Sequence, residues 1–305
     1  MTFPLFLRSL HNRHDWRGGA VKRGVAACKY SLRCTLFRRQ QSAWLQYLYG
    51  TPAMAAVLER DPRLQERPQH AYISRKLSRG RRYEIVESHY RHVLAQWPRA
   101  LIERIYANGD ASLGRLALKD QHEAELRLSV PTGRGREGEL ALYLLNAQGQ
   151  ALSSLIFTIA DEGQTLLIGC MQGAAPELGR DAVRDFTRQA HGLRPKNLLL
   201  SVLYAMAAKI GIKRILGVGN GAHPFAGQVH KIKANYDGFW QECHGELTLD
   251  GFYQLPAREP LRDEAQVESK HRSAFRKREA LRHQAMDLMV AVLVGGPKIK
   301  LARVA

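Results

Sequence analysis

Between Leu198 and Ile210 apolar side chains fall at Leu199, Val202, Leu203, Met206 and Ile210, the spacing of one helix face. Pro195 suits the first turn, where its missing N–H costs nothing, and Gly211 is placed to stop the helix. Ile215, Leu216 and Val218 then form an apolar run too short for a helix, closed by Gly219, Asn220 and Gly221. The pattern predicts a loop, a helix and a buried strand ending in a polar loop, which is an α/β unit. Upstream, extended segments are predicted over 116–119, 124–130, 140–145, 151–159 and 165–170, joined by turns at Pro131 to Gly135, Asn146 to Gly149 and Asp161 to Gly163. They read as an antiparallel meander, followed by a helix over 180–190.

The rest of the chain is helical in pattern. Trp44, Tyr47 and Leu48 share a helix face, and a helix is predicted over 84–97, interrupted by Pro98 and resumed to Tyr106. After Asn220 comes a basic stretch with Lys231 and Lys233, then short strands near 246–249 and 252–255. From Glu259 one long charged helix is predicted, ended by Gly295, Gly296 and Pro297, with a basic tail beyond. The division expected is a basic helical region over 1–110, an α/β core over 111–258 and a charged helix with its tail over 259–305.

Charge narrows the partners. The 305 residues carry a formal net charge of +18, which favours a polyanion: RNA, tRNA, an anionic lipid or lipopolysaccharide precursor, or a phosphorylated cofactor. In the first fifty residues Arg8, Arg13, Arg17, Lys22, Arg23, Lys29, Arg33, Arg38 and Arg39 face one acid, Asp15. The four cysteines form no C-x-x-C pair, and no apolar run approaches the roughly 20 residues of a membrane span. No metal site is expected, and His89 with His92 is assigned to the surface. The expected location is the cytoplasm, with peripheral contact at the inner membrane allowed by the charge.

The order of meander, helix, strand, polar loop and a Tyr/Phe-containing segment resembles the GCN5-related N-acetyltransferase fold. That resemblance implies an acyl-CoA or aminoacyl-tRNA donor, its phosphates held by the stretch His191, Gly192, Arg194, Lys196 and Asn197 beside the strand end at Cys170 and Gln172. The glycine pair of the family loop is missing, since Arg194 is followed by Pro195, Lys196, Asn197 and Leu198, so side chains must supply part of the grip. His223 has the intrinsic pKa range of a base, and Glu242 is a second candidate. Tyr236 lies where the related fold keeps a tyrosine that protonates the leaving thiolate, and Asn220 is a candidate to hold a carbonyl or amide. A thiol mechanism through Cys170 and His191 is disfavoured, because a cysteine at an apolar strand end is buried and inert.

At the level of words, HGLRPKNLLL, GVGNGAH, YDGFW and SAFRKREAL are similar to the VirK/YbjX family of bacterial proteins. The resemblance implies a link to envelope, lipopolysaccharide and virulence functions. Two readings follow: an acyl or aminoacyl transferase in envelope modification or virulence, or a non-enzymatic regulator that binds RNA or an anionic membrane.

Overall fold

The computed structural model describes residues 3–133, 135–175, 177–227, 234–260 and 263–295. Six helices come first: α1 (Phe3–Leu10), α2 (Ala20–Leu36), α3 (Arg38–Gly50), α4 (Met54–Arg60), α5 (Arg79–Gln96) and α6 (Arg99–Tyr106). Five strands follow, β1 (Asp110–Ala117), β2 (Glu123–Ser129), β3 (Leu140–Asn146), β4 (Ala151–Ala160) and β5 (Thr165–Gln172). Then come α7 (Gly179–Gln189), α8 (Pro195–Ile210), β6 (Arg214–Val218), α9 (Tyr236–Glu242), β7 (Glu246–Leu247), β8 (Phe252–Leu255) and α10 (Ser269–Leu293).

The strands form one mixed sheet in the order β1-β2-β3-β4-β5-β6-β8-β7. Every pairing is antiparallel except β5 with β6, the pair joined through the crossover by α7 and α8. This is the mixed sheet with flanking helices that the sequence predicts, with helices before it and a long helix after it. β3, β4 and β5 are buried along most of their length, so they read as apolar runs, whereas β1 and β2 alternate.

α8 is buried along nearly its whole length, from Leu198 to Ala207, because α10 covers it on one side and the sheet on the other. Leu281, Ala285, Leu288 and Met289 supply the buried face of α10. Leu288 lies over Gly114 of β1, where an added Cβ would come within 2.7 Å of it.

Three expectations are corrected. The long charged helix begins at Ser269, not Glu259; residues before it form a loop with a short turn at Glu264–Gln266. α5 starts at Arg79, five residues before the predicted Glu84, because the Ser78 hydroxyl accepts from the Arg81 N–H and caps it. His89 is not a surface residue: it is fully buried, its Nδ1 accepting from the Ile159 N–H at 3.2 Å and its Nε2 lying 3.1 Å from the Tyr106 hydroxyl. Arg134 of the predicted turn, the stretch with Lys231 and Lys233, and the chain from Gly296 on lie outside the described residues.

Candidate active site

Two features of the sheet make room for a site. β5 pairs with β6 over only four residues, Thr165 to Ile168 against Arg214 to Gly217, and then runs on to Gln172 paired with β4. The cause is local. On its other side β5 pairs Ile168 with Phe157 and Cys170 with Ile156, which leaves Gly169 as an extra, bulged residue. A bulge bends its strand and strengthens the twist, so β5 turns away where β6 ends. Glycine is required there, because an added Cβ would sit 1.9 Å from the Glu137 carbonyl oxygen.

α9 fills the angle between the parted strands. Tyr236 at its start donates its hydroxyl to the Cys170 Sγ of β5 at 3.4 Å, and Trp240 donates its indole N–H to the Val218 carbonyl of β6 at 2.8 Å. The Tyr236 ring stacks on His223, with centroids 5.2 Å apart and 20° between planes. His223 is buried. Its Nδ1 accepts from the Phe225 N–H at 3.3 Å, and its Nε2 sits 3.2 Å from Glu137 Oε1. The lone pair of Nδ1 is thus already engaged, and the carboxylate of Glu137 is the more open end of the pair, 20% exposed against 1% for the histidine.

The second group gathers at the start of α8. Arg194 is the N-cap in an extended conformation, no side chain caps the helix, and Pro195 occupies the first turn. The first-turn N–H groups therefore lack intrahelical partners and carry the positive end of the dipole. Here lies a pocket of about 330 Å³, lined by Arg194, Lys196, Asn197, Asn235, Phe239, Glu242 and, at the end of β5, Gly173. Arg194 Nη1 donates to Glu242 Oε2 at 3.1 Å, but both are well exposed, so the pair holds the rim only loosely. A smaller cavity, about 220 Å³, adjoins it across Asn197 and Glu242.

Lys196 links the two groups. Its ammonium is 5.4 Å from the Phe239 ring, and burial pushes its pKa below the usual lysine value, opposed by Cys170 and Glu242. Burial likewise pushes the Cys170 thiol well up, so it is a packed neutral group and not a nucleophile. Burial, with Cys170 beside it, raises the Tyr236 pKa, so the phenol keeps its proton.

Of the predicted residues, Arg194, Lys196, Asn197 and Glu242 share the pocket, and Cys170, His223 and Tyr236 meet behind it. Asn220 is engaged at both ends of its side chain: Oδ1 accepts from the Tyr236 N–H at 2.9 Å and Nδ2 donates to Asn235 Oδ1 at 3.2 Å. It staples the loop after β6 to α9. Gln172 is exposed at the end of β5, where its carbonyl accepts from the Ser153 hydroxyl. His191 and Gly192 turn the chain between α7 and α8 with φ of 54° and 88°. Burial, with the charges of Lys119 and Lys277 added, lowers the His191 pKa, and neither lysine lines the pocket. α7, the helix predicted over 180–190, lies between the strand end and the start of α8. Glu137 is the residue sequence reasoning missed. Among the described residues, no cluster of three or more His, Cys, Asp or Glu is placed to hold a metal.

A mixed sheet parted beside a cationic helix start makes this an α+β protein with a candidate anion site at the start of α8. The chain belongs to the family described as "Protein of unknown function (DUF535)", which matches residues 20–289. It is 28% identical to "Uncharacterized protein YbjX" of Escherichia coli (strain K12), over 82% of this chain and 78% of that one, so the YbjX likeness of its motifs holds. It is 23% identical to "Membrane protein LapB" of Mannheimia haemolytica, over 62% of this chain and 81% of that one. A cAMP-binding acyltransferase from Mycobacterium smegmatis, E234A mutant, superposes at 10% identity over 65% of this chain and 59% of that one, with a TM-score of 0.28. That superposition is too loose to define a shared fold.

Proposed function

We propose that the protein is an acyl or aminoacyl transferase that takes its acyl group from a phosphorylated donor, acyl-CoA or aminoacyl-tRNA. The observation that carries this reading is the parting of β5 from β6 beside the pocket at the start of α8. The donor's phosphates would lie against Arg194, Lys196 and the first-turn N–H groups. Among the described residues no strand pairs with the β6-facing edge of β5 at 169–172, where Tyr236 of α9 stands instead, so the donor would lie in the pocket at the strand's end beside Gly173.

In this reading the acceptor's amine nitrogen attacks the acyl carbonyl. The proton it sheds passes to Glu137, which His223 positions. The acyl bond to the donor breaks, and the departing sulfur or ribose oxygen takes the proton that Glu137 has accepted, while Tyr236 keeps its own. The acceptor is proposed to be an amine of the cell envelope, a choice supported by the name of the Mannheimia relative.

The test is thermal denaturation of the full chain with coenzyme A, acetyl- and long-chain acyl-CoA, and aminoacyl-tRNA. A donor at a hundredfold excess over its dissociation constant stabilises the fold by about 2.7 kcal/mol. The expected result is a rise in Tm with one donor class, lost in Lys196→Ala and reduced in Arg194→Ala. No rise with any donor, for protein that melts cooperatively, overturns the reading.

A further inference from the structure

α2 has two opposed faces. At 100° per residue, Val21, Val25, Leu32 and Leu36 fall within about 60° of arc. All four are solvent-exposed, at 81%, 46%, 61% and 66%. Cys28, also exposed, falls beside them. The residues that hold α2 to the protein, Tyr30 and Cys34, lie on the far side and are fully buried. The Tyr30 hydroxyl donates to the Ser9 hydroxyl at 2.8 Å, which pins α1 to the same inner face. α1 in turn exposes Phe3 and Leu7, one turn apart. The outer stripe of α2 runs for about 22 Å at 1.5 Å per residue. A single exposed leucine needs no explanation, but a continuous aliphatic row does.

Charge identifies what covers it. Lys22 and Lys29 are exposed along one edge of the stripe, and Arg38 and Arg39 follow at the start of α3. The lone acid of this region, Asp15, is already paired with Arg13 at 2.8 Å. A second copy of the chain across a twofold axis would bring these cations against their like. A nucleic acid would reward the cations but not the valines and leucines. An anionic lipid surface rewards both, with aliphatic side chains at the acyl boundary and lysines at the phosphates.

We propose that α2, with the exposed edge of α1, docks the protein on an anionic bilayer, lying in the interface plane and not crossing it. Among the described residues no helix is long and apolar enough to cross a membrane. This inference does not rest on the transferase reading.

The experiment is flotation of the full chain with vesicles of phosphatidylcholine, alone or with about a quarter phosphatidylglycerol. The wild type is expected to float with the anionic vesicles only, and less as salt rises. Val25→Glu/Leu32→Glu is expected to lower the partition coefficient at least about tenfold. Lys22→Gln and Lys29→Gln are each expected to lower it about fivefold. These side chains are exposed, so circular dichroism and Tm should match the wild type. The donor-induced rise in Tm should persist in the double variant, which keeps a failure here distinct from a failure of the transferase reading. Equal flotation of the double variant overturns the proposal, as does equal flotation with neutral vesicles. So does a wild-type dimer in light scattering that becomes a monomer in the double variant, since a second copy would then cover the stripe.

Discussion

Glu139 is fully buried and gathers its partners from distant parts of the chain. Tyr72 and Tyr90 donate their hydroxyls to it at 2.9 and 2.6 Å, and Arg67, itself buried and also paired with Asp61, completes the cluster. Removing one member of a buried ion pair leaves the other uncompensated, at about 3–5 kcal/mol. Glu139→Gln should therefore lower stability by about that amount in urea titration, while Glu84→Gln, on an exposed pair with Arg81, should change it by less than about 1 kcal/mol. His89 gives a pH signature. Burial, with His92 and Arg67 nearby, lowers its pKa to about 3, against 6.5 for the free side chain. Between those values the unfolded state binds a proton that the folded state refuses, so stability falls as pH drops below about 6.5. The loss from this residue should be about 2 kcal/mol at pH 5 relative to pH 7, and His89→Gln should flatten that slope in urea titrations at the two pH values. Neither role is visible in the sequence. The i, i+3 spacing of His89 and His92 is the same on a wet face and a buried one. Only the Ile159 N–H and the Tyr106 hydroxyl, brought by the fold, decide it. Glu137 escaped for a similar reason, because it lies in a turn-rich stretch with no periodicity, and its meaning comes from His223.

At the scale of elements, the site depends on where β5 bends. Gly169 is the bulged residue, and its α-carbon faces the backbone of Glu137. Gly169→Ala places a methyl group 1.9 Å from the Glu137 carbonyl oxygen, which no side-chain rotation relieves. The 135–139 segment must move, at a cost of about 1–3 kcal/mol, and Glu137 should lose its place against His223. The expected outcome is a lower Tm together with loss of any donor-induced rise, whereas Gly173→Ala, with open space around the added Cβ, should leave Tm unchanged. The elements themselves were largely legible. α8 and β6 were readable end to end because Pro195, the apolar spacing and Gly211 act locally, and Gly211 does adopt the left-handed conformation, φ 79°. The order of β1 to β5 followed from the turns between them, whereas the placing of β8 between β6 and β7 was not read. The bulge was not readable, since it depends on the register between β4 and β5. Nor was the late start of α10, because mixed charge over 259–268 suits a helix and a solvated loop equally well.

For the whole molecule, the question is whether the three stretches read from composition unfold separately. The contacts across their boundaries are buried and polar, as well as apolar. Arg67, Tyr72 and Tyr90 from the first stretch meet Glu139 of the sheet, and His89 takes the Ile159 N–H. At the other end the Ser201 hydroxyl of α8 donates to Glu259 at 2.7 Å, and Leu288 of α10 sits on Gly114. One apolar cluster runs from Trp44 through the sheet to Met289. A segment spanning 111–258 alone would expose α8 and leave Glu139 buried among absent partners, so it should not fold on its own. The intact chain should melt in one transition, since coincident probes are the mark of two-state unfolding. The tryptophans make the test specific: Trp16, Trp44 and Trp97 lie in the first stretch and Trp240 lies against Gly217 of β6. Trp240→Phe leaves fluorescence that reports the helical stretch alone, and a variant with the other three changed to Phe reports the sheet alone. Each fluorescence melt should coincide with that variant's own circular dichroism melt. A helical stretch that melts apart from the sheet would mean the Glu139 cluster does not couple them, and that the basic region is a domain carried beside the core.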